Sequence, residues 1–108
     1  MEKIKVIIKR PDELIGHIEE IDNTLKTFQK IVGGYIETVP ISHNVTMIVN
    51  EEGKIKQMPS NIKFGVCFDD MIVGTLILVG VDDEAEEFTD CPMKLKTWEQ
   101  LLRAWGNL

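Results

Sequence analysis

Apolar residues in this chain come in short runs, and the spacing within the runs switches between two periods. Lys3-Ile4-Lys5-Val6-Ile7-Ile8-Lys9 opens in alternation and is rich in β-branched side chains, which predicts a strand. Arg10-Pro11-Asp12 stops it, because proline lacks a ladder donor and restricts the residue before it. Gly16 to Ile21 forms a short second strand in this reading, with Ile18 partly buried. The period then lengthens. Leu25, Phe28 and Val32 fall on one helical face, Asp22 or Asn23 offers a capping oxygen, and Gly33 supplies a left-handed stop. A helix over about 23–32 follows.

Tyr35–Val39 and Asn44–Asn50 read as the next two strands, separated by a loop holding Pro40, Ser42 and His43. Glu51-Glu52-Gly53-Lys54 reads as a tight turn with Gly53 at positive φ, so that Lys54–Lys56 pairs back as a hairpin. Pro59 to Asn61 reads as irregular, and Phe64 to Phe68 fits no single template. Ile72 to Val81 is the most apolar segment and is expected at the centre of the sheet, with Gly74 marking a bulge or close approach. Residues 82–90 are expected as a surface loop. Thr97 and Gln100 suit a capping box ahead of Trp98, Leu101, Leu102 and Trp105, and Gly106 ends that helix. The fold class expected is α+β: a mixed or antiparallel sheet, a central helix at about 23–32, and a C-terminal helix at about 97–105 packed on it. All of 1–108 is read as one domain.

Composition narrows the classes. Apolar content of 44% with 28% charged residues suits a globular protein rather than a disordered one. The net charge of −6 argues against a general nucleic-acid-binding module, whose footprint is basic. The charge is also uneven: Lys3, Lys5, Lys9 and Arg10 crowd the start, whereas 82–90 holds acids and no base. Charged residues interrupt the first ten positions, so no signal peptide is expected, and the apolar run from Met71 to Val81 is too short to span a bilayer. Cys67 and Cys91 form no C-x-x-C pair, which disfavours zinc and leaves a disulfide between them open.

Candidate chemistry is sparse. Gly33-Gly34 follows a helix instead of opening one, so it does not make a phosphate loop. His17 and Glu19 share a face at strand spacing and form the one candidate acid/base pair, without an accompanying nucleophile. Asp82, Asp83, Glu84, Glu86 and Glu87 lack the central glycine of a calcium loop. They read as a solvated face, or as a phosphate-like surface for the basic groove of a partner. Trp98 and Trp105 either dock the last helix on the sheet or anchor a partner. Asn50, Lys54 and Asn61 lie in a turn-rich region fit for a polar ligand, with Arg10 as a basic contributor. No metal site and no cofactor is expected.

The ordered string Lys5 to Pro11, Leu25 to Glu37, Asn50 to Lys54, Pro59-x-Asn61, Asp70-x-Ile72-Val73-Gly74-Thr75 and Gly80-Val81-Asp82 resembles a family of small phage and plasmid proteins described as a domain of unknown function. The resemblance covers about residues 3 to 90 and brings no catalytic residues. It implies mobile-element cargo carried among accessory and counter-defence genes. The leading expectation is a non-enzymatic, cytoplasmic protein of the bacterial host's mobile elements that inhibits a nucleic-acid-targeting defence enzyme, such as a CRISPR nuclease. Asp82 to Glu87 would approach the enzyme's basic surface, with Trp98 and Trp105 as anchors. A signalling-nucleotide sponge using Arg10, Asn50, Lys54 and Asn61 comes second, and a small enzyme using His17 and Glu19 third. A homodimer through sheet edges or the last helix is a further expectation.

Overall fold

A computed structural model describes residues 2–65 and 70–108. Strand β1 (Lys3–Lys9) pairs antiparallel with β2 (His17–Asp22) on one side and with β7 (Leu76–Asp82) on the other. Beyond β7 come β4 (Val45–Asn50) and then β3 (Ile36–Ser42), both antiparallel to their neighbours. The sheet order is therefore β2-β1-β7-β4-β3, with β8 (Glu87–Thr89) folded back on the end of β7. Strands β5 (Ser60–Lys63) and β6 (Met71–Val73) form a separate two-stranded ribbon.

Strand parity assigns the two faces. Ile4, Val6, Ile8, Ile48, Ile77 and Val79 point to one side and are covered by Phe28 and Val32 of helix α1 (Leu25–Val32). Ile7, Met47, Val49, Leu76 and Leu78 point to the other. There they meet Trp98 and Leu102 of helix α2 (Leu95–Ala104) together with Ile62 and Ile72 of the ribbon. The α+β class and the antiparallel sheet agree with expectation, and the helices lie on opposite faces. Central strands buried on both sides explain why β4 and β7 are nearly continuous in apolar residues.

Several local expectations are corrected. Thr24, not Asp22 or Asn23, caps α1, its Oγ1 accepting the Thr27 amide at 3.2 Å. Leu25 is 57% exposed and leaves the core face to Phe28 and Val32, with Ile31 partly buried. Ile18 is also 57% exposed, because β2 is an edge strand whose core contact is Ile21. Helix α2 starts at Leu95 after Lys94, which makes no side-chain cap, so Thr97 and Gln100 lie inside the helix and form no capping box.

Residues 51–57 form an extended turn, and Lys54–Lys56 does not pair back. The positive φ in that turn belongs to Gln57. Gly53 is needed for space, since a Cβ there would lie 2.8 Å from Val73 Cγ2. Pro59 to Asn61 is not irregular: β5 begins at Ser60 and includes Asn61. The segment Ile72–Val81 is not one strand. At Gly74 (φ +73°) the chain leaves the ribbon and enters the main sheet. Phe64 follows β5, while residues 66–68 of the Phe64–Phe68 segment, including Cys67 and its possible pairing with Cys91, lie outside the described residues.

Candidate functional site

The acidic segment is a hairpin extension of the central strand β7, not an irregular loop. Val81 pairs with Phe88 and Asp82 with Glu87. Asp82 Oδ1 accepts the amides of Glu84 (3.1 Å) and Ala85 (3.3 Å), and Glu86 takes φ +53°. Gly80 permits this geometry, because a Cβ there would collide with the Asp90 carbonyl and with Thr89 Oγ1. The hairpin base is tied to β1, where Asp90 Oδ1 accepts the Lys5 amide at 2.8 Å and the Cys91 amide donates to the Lys5 carbonyl at 2.8 Å. Asp82, Asp83, Glu84, Glu86 and Glu87 are all exposed, and among the described residues none forms an ion pair.

Beside the hairpin lies a recess of about 350 Å³, walled by Val81, Phe88 and Asp83 with Thr38, Pro40 and Thr46 of the β3–β4 pair; Ser42 and His43 complete it. Phe88 in its wall meets the Phe28 ring edge-on at 5.5 Å. Thr46 is 5% exposed, and its Oγ1 has no hydrogen-bond partner among the described residues. Opposite Thr46 in the ladder stands Pro40, which has no amide hydrogen, and the register shifts just beyond it.

The tryptophans serve the interior. Trp98 is fully buried, and its Nε1 donates to the Ile15 carbonyl at 2.9 Å. With no exposed surface, it does not anchor a partner. Trp105 is half-buried, edge-on to Trp98 at 6.0 Å and to Phe64 at 5.1 Å. These contacts fasten α2 to the sheet and to the ribbon.

The four residues considered for a polar ligand divide into separate places. Asn50 and Lys54 line a recess of about 280 Å³ between β4 and the ribbon. The Asn50 amide is already committed, Nδ2 donating to the Val32 carbonyl at 3.1 Å and Oδ1 accepting the Glu52 amide at 2.8 Å. Lys54 pairs with Asp70 at 3.1 Å. Asn61 sits elsewhere, donating to the carbonyls of Lys9 and Gly74 at 2.8 Å each and accepting Lys9 Nζ at 2.6 Å. Arg10 faces Glu13 at 3.6 Å.

Sequence reasoning did not single out Lys9, which is only 3% exposed. Burial lowers its pKa, against the opposing pull of Glu13 and Asp12. The signal was parity: Lys9 shares a strand face with buried Ile7, so its stem had to enter the core side.

His17 is held between two carboxylates, Nδ1 with Glu13 Oε2 at 2.7 Å and Nε2 with Glu19 Oε1 at 2.9 Å. The bond to Glu19, then that to Glu13, raises its pKa. Burial alone would raise the Glu13 carboxyl; the Arg10 amide and then His17 outweigh that and hold it low. Both ring nitrogens are thus engaged, which gives the imidazole a stapling role between the 10–16 loop and β2. Burial pushes the Cys91 thiol up. Among the described residues no group of three or more His, Cys, Asp or Glu converges as a metal site, and no helix is long and apolar enough to cross a membrane.

A family profile, Domain of unknown function (DUF3846), matches residues 4–103. The chain belongs to that family. The DUF3846 match covers the acidic hairpin and, running past the turn string that ends near residue 90, almost all of α2 as well. Both are parts of the family domain rather than additions to it. No curated protein and no solved structure matches the chain.

Proposed function

We propose that this DUF3846 domain acts by binding, as an accessory protein of phage or plasmid origin in the bacterial cytoplasm. Its target is a nucleic-acid-handling defence enzyme, for example a CRISPR nuclease. The observation that carries the reading is the hairpin at Asp82–Glu87, whose exposed carboxylates form no ion pair among the described residues and project from the end of the central strand. A compact row of carboxylates on a fixed backbone competes for basic grooves that otherwise hold phosphates, and such attraction mainly accelerates encounter. The mobile-element setting rests on the resemblance of the turn string alone. The test is a cleavage assay over a panel of purified defence nucleases. Inhibition is expected for at least one enzyme, weakening with salt and abolished by Asp83→Lys/Glu84→Lys/Glu86→Lys/Glu87→Lys. Full inhibition by that variant, or no inhibition across the panel, rejects the reading.

The signalling-nucleotide alternative has less support. Asn50 spends its amide on backbone groups and Asn61 on two backbone carbonyls and the Lys9 ammonium, and the Asn50 recess carries Glu37, Glu51 and Asp70, which repel phosphate.

A further inference from the structure

The main sheet ends in two strands with a free side, β2 and β3, and the two sides offer different things. The Asn23 amide donates to the Glu2 carbonyl and the Glu51 amide to the Tyr35 carbonyl, so the odd residues of β2 and β3 bond their inner neighbours. The even residues turn their backbone groups outward. On β3 these include Pro40, which has no N–H and stands beside a register shift, and that edge is blunted. On β2 they are Ile18, Glu20 and Asp22, in unbroken register and without a proline. The Asp22 carbonyl takes the Thr24 amide, but among the described residues no turn or loop bond reaches the outward backbone groups of Ile18 and Glu20.

The side chains of β2 agree with an open edge. Ile18 is 57% exposed on the face that carries Ile7, and it borders a recess of about 200 Å³ with Pro92 and Met93. Leu14, just before the strand, is 71% exposed. We infer that β2 pairs antiparallel with β2 of a second copy of this chain, Ile18 opposite Ile18, joining two sheets into one. Charge selects the register. Centring the pair on His17, Glu19, Glu20 or Asp22 sets a charged group opposite its own counterpart, and centring it on Ile21 sets Glu20 against Asp22 in both directions. Centring it on Ile18 places His17 opposite the second copy's Glu19, and Glu20 opposite Gly16, which has no side chain. His17 hydrogen-bonds two carboxylates, Glu13 and Glu19, and ionised carboxylates only accept, so the ring carries both protons and a positive charge. The second copy's Glu19 therefore faces a cation, and the two-fold axis makes the contact reciprocal. Residues 16–20 of each copy bury far less than the roughly 1,600 Å² of a standard interface, so the dimer is weak and concentration-dependent. The acidic hairpin extends β7, which β1 separates from β2, and the pairing leaves it uncovered.

Sedimentation equilibrium from micromolar to millimolar protein tests this. Wild type is expected to pass from the mass of one chain toward that of two. Ile18→Lys puts like charges opposite each other at an exposed position and should weaken the dimer by about ten-fold or more. Thr38→Lys, on the β3 edge, should dimerise as wild type does. In a half-labelled sample at millimolar concentration, an isotope-filtered NOE is expected between the α-protons of His17 and of the second copy's Glu19. Those two residues form a non-hydrogen-bonded pair, in which the α-carbons approach most closely.

A wild type that stays monomeric to millimolar concentration, equal dimerisation by Ile18→Lys, or loss of the dimer in Thr38→Lys would overturn the inference. Filtered NOEs that join other residues, on the β3 edge or on α2, would also overturn it. The NOE is read on wild type, so the test holds even where Ile18→Lys fails to fold. A dimer of this register that inhibits no nuclease leaves the pairing standing and rejects the binding reading; a strict monomer that inhibits does the reverse.

Discussion

Replacing Asn61 with alanine strikes the point where three parts of the fold meet. Its amide joins the end of β1, through the Lys9 carbonyl and ammonium, to the hinge at Gly74 between the ribbon and the main sheet, from its own place in β5. The substitution leaves two carbonyls and a buried ammonium without this partner. A neutral hydrogen bond contributes about 0.5–1.5 kcal/mol net and one to a charged group about 1.5–3 kcal/mol. Asn61 is half-buried, so water reaches part of the vacancy and the lower ends apply. The expected loss is about 2.5–4 kcal/mol, a large share of the roughly 5–15 kcal/mol typical of a domain. Urea denaturation should show it as a lower midpoint at unchanged slope.

Lys9→Met tests the reasoning from the other side. The methionine keeps the stem and removes the charge, so Asn61→Ala should cost clearly less in the Lys9→Met background. The pH dependence has a definite sign. Burial lowers the Lys9 pKa in the folded state, so folding is penalised while the lysine is protonated. That penalty is relieved as pH rises from the lowered value toward 10.5. Any stability advantage of Lys9→Met at neutral pH should therefore shrink in alkali. An Asn61→Ala cost below about 1 kcal/mol, or equal costs in the two backgrounds, would refute this account of the junction.

His17→Ala should reveal a clamp with a pH window. Because Glu19 and Glu13 raise the His17 pKa, its contribution is full below the unfolded value of 6.5 and is lost as pH rises through the folded value. Glu13, held low, sets the acid limit, its contribution fading as pH falls through its folded pKa below 4.5. Wild type and variant should thus differ most near pH 5–6 and converge in mild alkali, as read by thermal melts. Trp98→Ala empties a fully buried site and loses the Ile15 bond, and a cost of about 3–5 kcal/mol is expected by chemical denaturation. Gly80→Ala sets a methyl against the Asp90 backbone and should cost about 1–3 kcal/mol, with loss of protection at the Cys91 amide in hydrogen exchange. The four-lysine hairpin variant, by contrast, should stay within about 0.5 kcal/mol of wild type, since the side chains changed are exposed and form no ion pair among the described residues.

The sheet and both helices were legible because alternation in Lys3–Lys9 and helical spacing in Leu25–Val32 and Trp98–Trp105 are local signals. What was not legible depended on long-range partners. The break at Gly74 needs knowledge that β6 pairs with β5 rather than continuing β7. The buried Lys9 needs Asn61, which lies 52 positions away. Gly53 and Gly80 look like ordinary turn or bulge residues until the chains that cross them are in place. In the candidate site the carboxylates of 82–87 were evident from composition, but the recess beside them was not. It is assembled from four strands, β3, β4, β7 and β8, that come together only in the folded state. Trp98 misled for a related reason, since tryptophan on an amphipathic helix serves a core and an interface equally well.

The central claim is that this domain works by presenting the Asp82–Glu87 hairpin to a basic surface. Its most direct measurement is the affinity for an inhibited defence nuclease across a salt series, with wild type and the four-lysine hairpin variant side by side. The account predicts that wild-type affinity falls steeply with salt and that the variant does not bind at any salt concentration. Salt-independent binding, or matching affinities for the two proteins, would contradict it.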